Sequence, residues 1–307
     1  MRQETVNLVP RRAAMEGNLA AVVGQLQVNP DLPSRLQIDS RELLATTTRI
    51  VGARFGEIEV DTYLAMCARY VDLGKPGDGG ASSTIRALAK TLYGSSLGGA
   101  NRAQVTKAMI NLFRMEVQMA GVRAGTGEFD RQFLDFERLL VSLRFDRQIR
   151  LRQTAPDMYD PVAIGAQRNS TVHWQFAPWH VEQLQNGYWV ELDWDKLRSL
   201  SGAAKMLWLV LSSPRIPFVP SPGAPGLEEL RVPLTPESYR VFGISASRER
   251  DCKRSLEQAG RRLVAVDDSY IEVMLSNEAR SRGRILRVVR RRSEDQLSFA
   301  ALPPLAA

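Results

Sequence analysis

The chain has 307 residues, 44% hydrophobic and 24% charged, which at roughly 100–200 residues per domain reads as two domains, or one large one, around a real core. These values exclude a disordered chain, collagen and a coiled coil, and no run reaches the ~18 consecutive apolar residues of a membrane span. The net charge of +7 is carried by Arg far more than Lys, which favours bidentate contact with phosphate or guanine edges, although a GC-rich genome produces the same bias.

Residues 1–45 read as a flexible arm, with Pro10, Pro30 and Pro33 and room for one short helix over Ala13–Leu26. The opening MRQETVNLVPRR lacks the apolar centre of a secretory signal, and Cys67 and Cys252 are far apart. A reduced, cytoplasmic protein without disulfides is therefore expected. From Gly56 the pattern firms up. Ile58, Tyr63, Met66, Cys67 and Tyr70 recur at helical spacing, and the loop Leu73–Ser83 follows. A short helix over Ser83–Leu92, the turn YGSSLGGAN and a longer helix from about Asn101 to Met115 come next. Glu116–Arg123 and Phe133–Phe145 read as strands of a hairpin about AGTGEFDRQ. Helix, helix, glycine-rich turn, helix and hairpin is the order of a winged helix.

The same order recurs after a linker around Thr154–Arg168. Strand-like segments at Val172–Phe176 and Tyr188–Leu192 lead into an apolar helix over Asp195–Leu211. The Pro-rich loop Pro214–Gly226, a short helix over Thr235–Phe242, a turn at Gly243 and a helix from about Ser245 to Arg261 follow. Leu263–Val266 and Tyr270–Leu275 form a hairpin about Asp267–Ser269, with Ile285–Val289 as a third strand. The expectation is an α+β, mainly helical fold: a first winged helix over 46–153, a second over 168–292, and a flexible tail over 293–307.

Charge separates the two. Between Arg231 and Arg292 there are 15 Lys/Arg against 8 Asp/Glu, so this segment carries the whole surplus. A basic domain joined to a neutral one suits a protein that grips a polyanion with one half; a solvated basic face is the alternative. In the second copy, Cys252, Leu256, Ala259 and Leu263 fall within about 60° of one another at ~100° per residue, a core stripe. Arg250, Arg254 and Arg261 point the opposite way, with Lys253 on the flank. Such a helix suits a major groove, where Arg takes guanine O6 and N7 or clamps phosphate. The alternative is a solvated helix whose arginines pair with Glu249, Asp251 and Glu257.

In the first copy Val105, Met109 and Leu112 make the core stripe, and Lys107 and Arg114 face away. Ile110 projects to that outer side too, close to Ala103; an apolar residue there is usually incidental but can mark a protein contact, for instance in dimerisation. Arg280, Arg282, Arg284, Arg287 and Arg290–Arg292 extend the basic surface as a wing and tail.

Other chemistries lack their residues. His173 and His180 are the only histidines, so neither a structural zinc site nor a His-based triad is readily built, and both read as structural or exposed. There is no GxxxxGK[ST] loop and no GxGxxG after a strand. Tyr159, Tyr188 or Tyr270 could serve a strand-transfer enzyme, but the accompanying His/Arg set is missing. The tryptophans Trp174, Trp179, Trp189, Trp194 and Trp208 read as the second domain's core. No catalytic residue, metal or cofactor is assigned.

Three segments, STIRALAKTLYGSSLGGANRAQVTKAMINLFRMEV, GYWVELDWDKLRSLSGAAKMLWLVLSS and RDCKRSLEQAGRRLVAVDDSYIEV, together resemble plasmid replication initiators of the tandem winged-helix type, TrfA-like or RepA-like. The likeness spans about residues 45–292, and the loop Pro214–Gly226 and the Arg-rich tail depart from it. It implies a C-terminal winged helix that reads direct repeats (iterons) in duplex DNA at an origin. It also implies an N-terminal one for backbone contacts and dimerisation, with recruitment of a host initiator and replicative helicase. Matched onto this chain, the reading element falls on Arg250, Lys253 and Arg254, with Arg248 and Arg261 beside them. The first-domain contact element falls on Lys107 and Arg114; Arg102, and Arg282, Arg284, Arg290 and Arg291 of the wing and tail, are further DNA-contact candidates read from the basic surface itself. A transcriptional regulator of the same fold and a DNA nicking or recombination enzyme are the alternatives.

Overall fold

The computed structural model describes residues 12–16, 43–51, 56–94, 98–123, 131–147, 162, 170–185, 189–212, 218–235, 239, 242, 244, 248–277 and 284–292. These divide into two compact units between Trp194 and Asp195. Twelve strands stand beside seven helices among the described residues, so the fold is α+β but not mainly helical.

In the first unit, β1 (Arg12–Glu16) and β2 (Leu43–Val51) precede α1 (Glu57–Asp72), β3 (Gly80–Thr84), α2 (Ile85–Tyr93) and α3 (Gly99–Arg114). Next come β4 (Glu116–Arg123), β5 (Arg131–Arg138), β6 (Leu140–Arg147), β7 (Ser170–Phe176), α4 (Pro178–Gln185) and β8 (Trp189–Asp193). The sheet that completes the helical core has the order β3–β7–β6, antiparallel throughout. Strand β7 alternates as sheets require: Ser170, Val172, Trp174 and Phe176 are buried, while Thr171, His173 and Gln175 are not. Against it lie Tyr63, Leu64 and Cys67 of α1, Ile85 and Leu88 of α2, and Val105, Met109 and Leu112 of α3, all buried.

Local chemistry sets the helix ends. The Thr84 hydroxyl accepts from the Ala87 N–H at 3.0 Å and caps α2, which stops at Gly94 with φ +67°. Glu59 accepts from the Gly56 N–H at 2.9 Å and from Asn111 Nδ2 at 2.8 Å, joining the start of α1 to α3. Gly79 has φ +74°, and a Cβ there would lie 2.5 Å from Val181 Cγ2 and 2.9 Å from the Phe176 carbonyl, so only glycine fits.

Several expectations for this half are corrected. The segment Leu73–Ser83 is not all loop, because its end pairs as β3. The run Phe133–Phe145 is not one strand: it breaks at Leu139, so that β5 pairs with β4 in a separate sheet, β2–β4–β5, while β6 pairs with β7. Residues 170–193 belong to the first unit and not the second, because β7 is the central strand of its sheet. Ala13–Glu16 is strand, not helix or free arm, paired with β8; β2 begins inside the same expected arm. Trp174, Trp179, Trp189 and Trp194 lie in the first unit, and of the five tryptophans only Trp208 lies in the second, so they are not the second domain's core. The tail 293–307 lies outside the described residues.

The second unit begins within α5 (Trp194–Ser199), at Asp195, and contains α6 (Gly202–Leu211), β9 (Val219–Pro220), β10 (Leu227–Pro233), α7 (Glu249–Val266), β11 (Tyr270–Asn277) and β12 (Arg284–Arg291). The expected single helix Asp195–Leu211 is interrupted at Leu200–Ser201, and Gly202 has φ +56°. Strand β10 lies beyond the Pro-rich loop, where no strand was expected. Leu263–Val266 is the last turn of α7 rather than a hairpin arm; β11 pairs with β12 instead. The sheet order is β11–β12–β10–β9. The expected helix Thr235–Phe242 lies largely outside the described residues, although Tyr239 N–H donates to the Thr235 carbonyl at 3.2 Å.

At the end of α7, Asp267 is 5% exposed and accepts from Lys196 Nζ, Trp208 Nε1 and Ser269 Oγ, each at 2.8 Å, and from the Ser269 N–H at 3.1 Å. Burial raises the pKa of this carboxyl, but the hydrogen bonds from Lys196, Ser269 and Trp208 outweigh it and leave it below the ordinary value.

Candidate nucleic-acid interface

Helix α7 is amphipathic by construction. Cys252, Leu256, Ala259, Gly260 and Leu263 are buried. Gly260 is the point of closest approach to the sheet, since a Cβ there would lie 2.7 Å from Val273 Cγ1 and 3.0 Å from the Val273 carbonyl. Arg262 Nη2 donates to the Ser199 carbonyl at 3.0 Å, tying α7 to the end of α5. With the helix pinned on one side, the opposite side is free to meet a partner.

Arg250, Arg254 and Arg261 are all exposed on that opposite side, and none forms an ion pair with another described residue. Arg248, the N-cap, is exposed as well. The acids that could have neutralised this stripe are engaged elsewhere or lie off it. Glu249 holds Arg284 Nη1 at 2.5 Å, and Glu257 lies 3.8 Å from Lys253 Nζ. Lys253 is thus a flanking, half-buried residue with a partner, whereas the three arginines stand as cations toward solvent.

The wing differs from expectation. Arg290 is not a surface contact: its side chain is 11% exposed. It donates through Nε and Nη2 to Glu228 Oε2, both at 3.2 Å, and through Nη1 to the Leu211 carbonyl at 3.3 Å, with its guanidinium 3.6 Å from the Phe218 ring centre. The reason is positional, because β12 lies between β10 and β11, and alternate residues of an interior strand point into the core. Arg287 likewise reaches Glu272 Oε2 at 2.6 Å and Glu229 Oε2 at 3.0 Å, and Arg231 also donates to Glu229. Hydrogen bonds from Arg287 and then Arg231 hold the Glu229 carboxyl down to about 2. Arg284 is tied to Glu249, Arg291 is exposed, and Arg282 lies outside the described residues. Much of the arginine surplus of this segment is therefore spent on glutamates of its own sheet, and the unpaired charge concentrates on α7.

In the first unit the helix expected to correspond to α7 is α3. Lys107 and Arg114 are exposed; Arg102 is half-buried and has partners of its own. Ile110 is half-buried, not fully outward. The Tyr93 hydroxyl donates to Gln104 Oε1 at 2.9 Å, fastening α2 to α3. This face carries less charge than α7.

The remaining titratable groups have structural surroundings. His180 is fully buried, with Nε2 3.2 Å from the Tyr63 hydroxyl and 3.7 Å from Cys67 Sγ, and burial lowers its pKa to about 3. His173 is exposed and 3.2 Å from Asp146. Burial pushes the Tyr270 hydroxyl up to about 12, the opposite of what a nucleophile needs. Tyr159 and Tyr188 lie outside the described residues. Among the described residues, no group of three or more His, Cys, Asp or Glu could hold a metal, and no helix is long and apolar enough to cross a membrane.

No protein-family model matches the chain, and no curated protein matches it in sequence. Solved structures do. The chain is similar to a crystal structure of domains 2 and 3 of RctB, solved from selenomethionine derivatives, at 14% identity and a TM-score of 0.57, covering 90% of this chain and 97% of that one. A second crystal structure of RctB domains 2–3 matches at 12% identity and a TM-score of 0.50, covering 91% and 99%. At such identity the likeness establishes the fold alone, and that fold is the one of RctB domains 2 and 3.

Proposed function

We propose that the chain is a sequence-specific duplex DNA-binding protein that initiates replication by occupying direct repeats at an origin. Each unit is read as a winged helix. The order helix, strand, helix, helix, strand, strand of the first unit and its sheet β3–β7–β6 have a counterpart in β10–β12–β11 of the second, with β4 and β5 as an insertion between α3 and the wing strands. In this reading α7 enters the major groove, and α3 contacts the backbone and a second copy of the chain. The protein works by binding and bending rather than by breaking bonds. Several copies on adjacent repeats strain a nearby AT-rich segment, whose opening admits a helicase recruited with a host initiator.

The observation that carries the reading is the exposed, unpaired line Arg250, Arg254 and Arg261 opposite the buried stripe of α7. The likeness to RctB, an initiator, supports the replication role over other uses of the same fold. The test compares specific with scrambled duplex for the Arg250→Ala, Arg254→Ala double variant. Each lost bidentate guanine contact costs about 1–3 kcal/mol of discrimination. A correctly melting variant that keeps its full specificity ratio would show that α7 is not the reader.

A further inference from the structure

The outward stripe of α7 holds one uncharged polar residue, Gln258, with different chemistry from its neighbours. Gln258 is exposed, and its carboxamide has no hydrogen-bond partner among the described residues. At ~100° and ~1.5 Å per residue it lies one turn, about 6 Å, beyond Arg254 and about 4.5 Å before Arg261, with its direction within roughly 60° of both. The other flanking acid on this side, Asp251, sits in the first turn of the helix, near the start of the line, where a carboxylate favours the helix dipole. Around Gln258 the exposed neighbours about one turn away are Arg254, Arg261 and Arg262, with Ala265 a further turn on; Arg262 is drawn toward the Ser199 carbonyl, to which it donates at 3.0 Å.

Guanidinium and carboxamide groups ask for different bases. Arg offers two parallel donors, which match O6 and N7 of guanine. Gln offers one donor and one acceptor side by side, which match N7 and N6–H of adenine and no other major-groove edge. We infer that Gln258 is a specificity-determining residue that reads an adenine, within about two base pairs of a guanine read by Arg254. The spacing follows from a ~6 Å step along the helix against a base-pair rise of ~3.4 Å. The inference rests on the proposed DNA-reading role of α7 and adds the base that this position selects.

The experiment uses the full chain. The preferred duplex of the wild type is first selected from a randomised pool, and every position is then substituted in turn. Gln258→Ala should lose about 5- to 100-fold discrimination at a single A·T pair. Its affinity for scrambled duplex and its salt slope should stay unchanged, because no charge is removed. Gln258→Arg should move the preference at that same pair to guanine. A folded Gln258→Ala protein that keeps every preference, or one that weakens all duplexes equally, would overturn the inference while leaving the reading by Arg250 and Arg254 standing. A wild type with no preference in the pool would overturn both.

Discussion

Arg250 and Arg290 have the same side chain and opposite surroundings. The first faces solvent from the outer side of α7; the second is enclosed by Glu228, the Leu211 carbonyl and the Phe218 ring. Arg290→Ala should therefore lower unfolding free energy by about 3 kcal/mol, because it leaves Glu228 without its buried partner. Arg250→Ala should leave the urea midpoint unchanged, and denaturation of the two variants side by side distinguishes the roles. The stripe of α7 was legible because a helix face is fixed by residues three and four apart. The partners of Arg290 were not, since they are brought from separate strands and a helix end that no local pattern announces. His180 gives a pH signature. Its folded pKa of about 3 lies below the unfolded value near 6.5, so between these the native state binds fewer protons than the unfolded chain. Stability is complete above pH ~6.5 and declines as pH falls toward ~3, at up to about 1.4 kcal/mol per pH unit. Chemical denaturation from pH 7 to 5 should show this slope, and His180→Gln should flatten it.

Among elements, the break at Leu139 and the closeness of α7 to β11 matter most. Residues 131–147 contain neither Gly nor Pro, so nothing in the letters marks where β5 leaves one sheet and β6 joins another. The buried Leu139, whose carbonyl accepts from the Ala177 N–H at 3.0 Å, makes the transfer by tertiary contact. Helix α7, by contrast, was visible from its stripe, though its last turn was mistaken for strand because Leu263–Val266 is rich in apolar and β-branched residues. Its seat on the sheet depends on Gly260. Gly260→Ala gains helix propensity of up to about 1 kcal/mol but forces Val273 or the strand to shift, an overpacking cost of about 1–3 kcal/mol. Thermal melts should show net destabilisation. Val273→Ala in the same chain should relieve it, with a coupling of about 0.5–3 kcal/mol in the double-mutant cycle.

For the whole molecule, the presence of two units was legible, and so was the concentration of charge toward the C-terminal part. The division between units was not. A strand that follows a long connection reads as the start of something new, whereas β7 completes the sheet of the helices before it. The charge surplus also overstated the width of the basic surface, because Glu228, Glu229, Glu249 and Glu272 absorb Arg290, Arg287, Arg231 and Arg284. What remains still predicts a strong electrolyte effect. With about six to ten phosphate contacts, binding to specific duplex should weaken roughly 10³–10⁵-fold between 50 and 200 mM salt. A fluorescence titration across that range measures it, and a nearly flat response would remove DNA as the partner.

The Cys252–Leu263 stripe and Gly260 hold α7 in place without help from Arg250, Arg254, Gln258 or Arg261. Foldedness and, in the proposed reading, vocabulary are thus written on different sides of one helix. On that proposal, drift among those four positions changes which DNA repeat is recognised while the fold is kept. Two replication systems in one cell then become mutually indifferent through a few surface substitutions. The same separation makes the helix a natural place to retarget the protein, by randomising those positions and selecting against a chosen repeat.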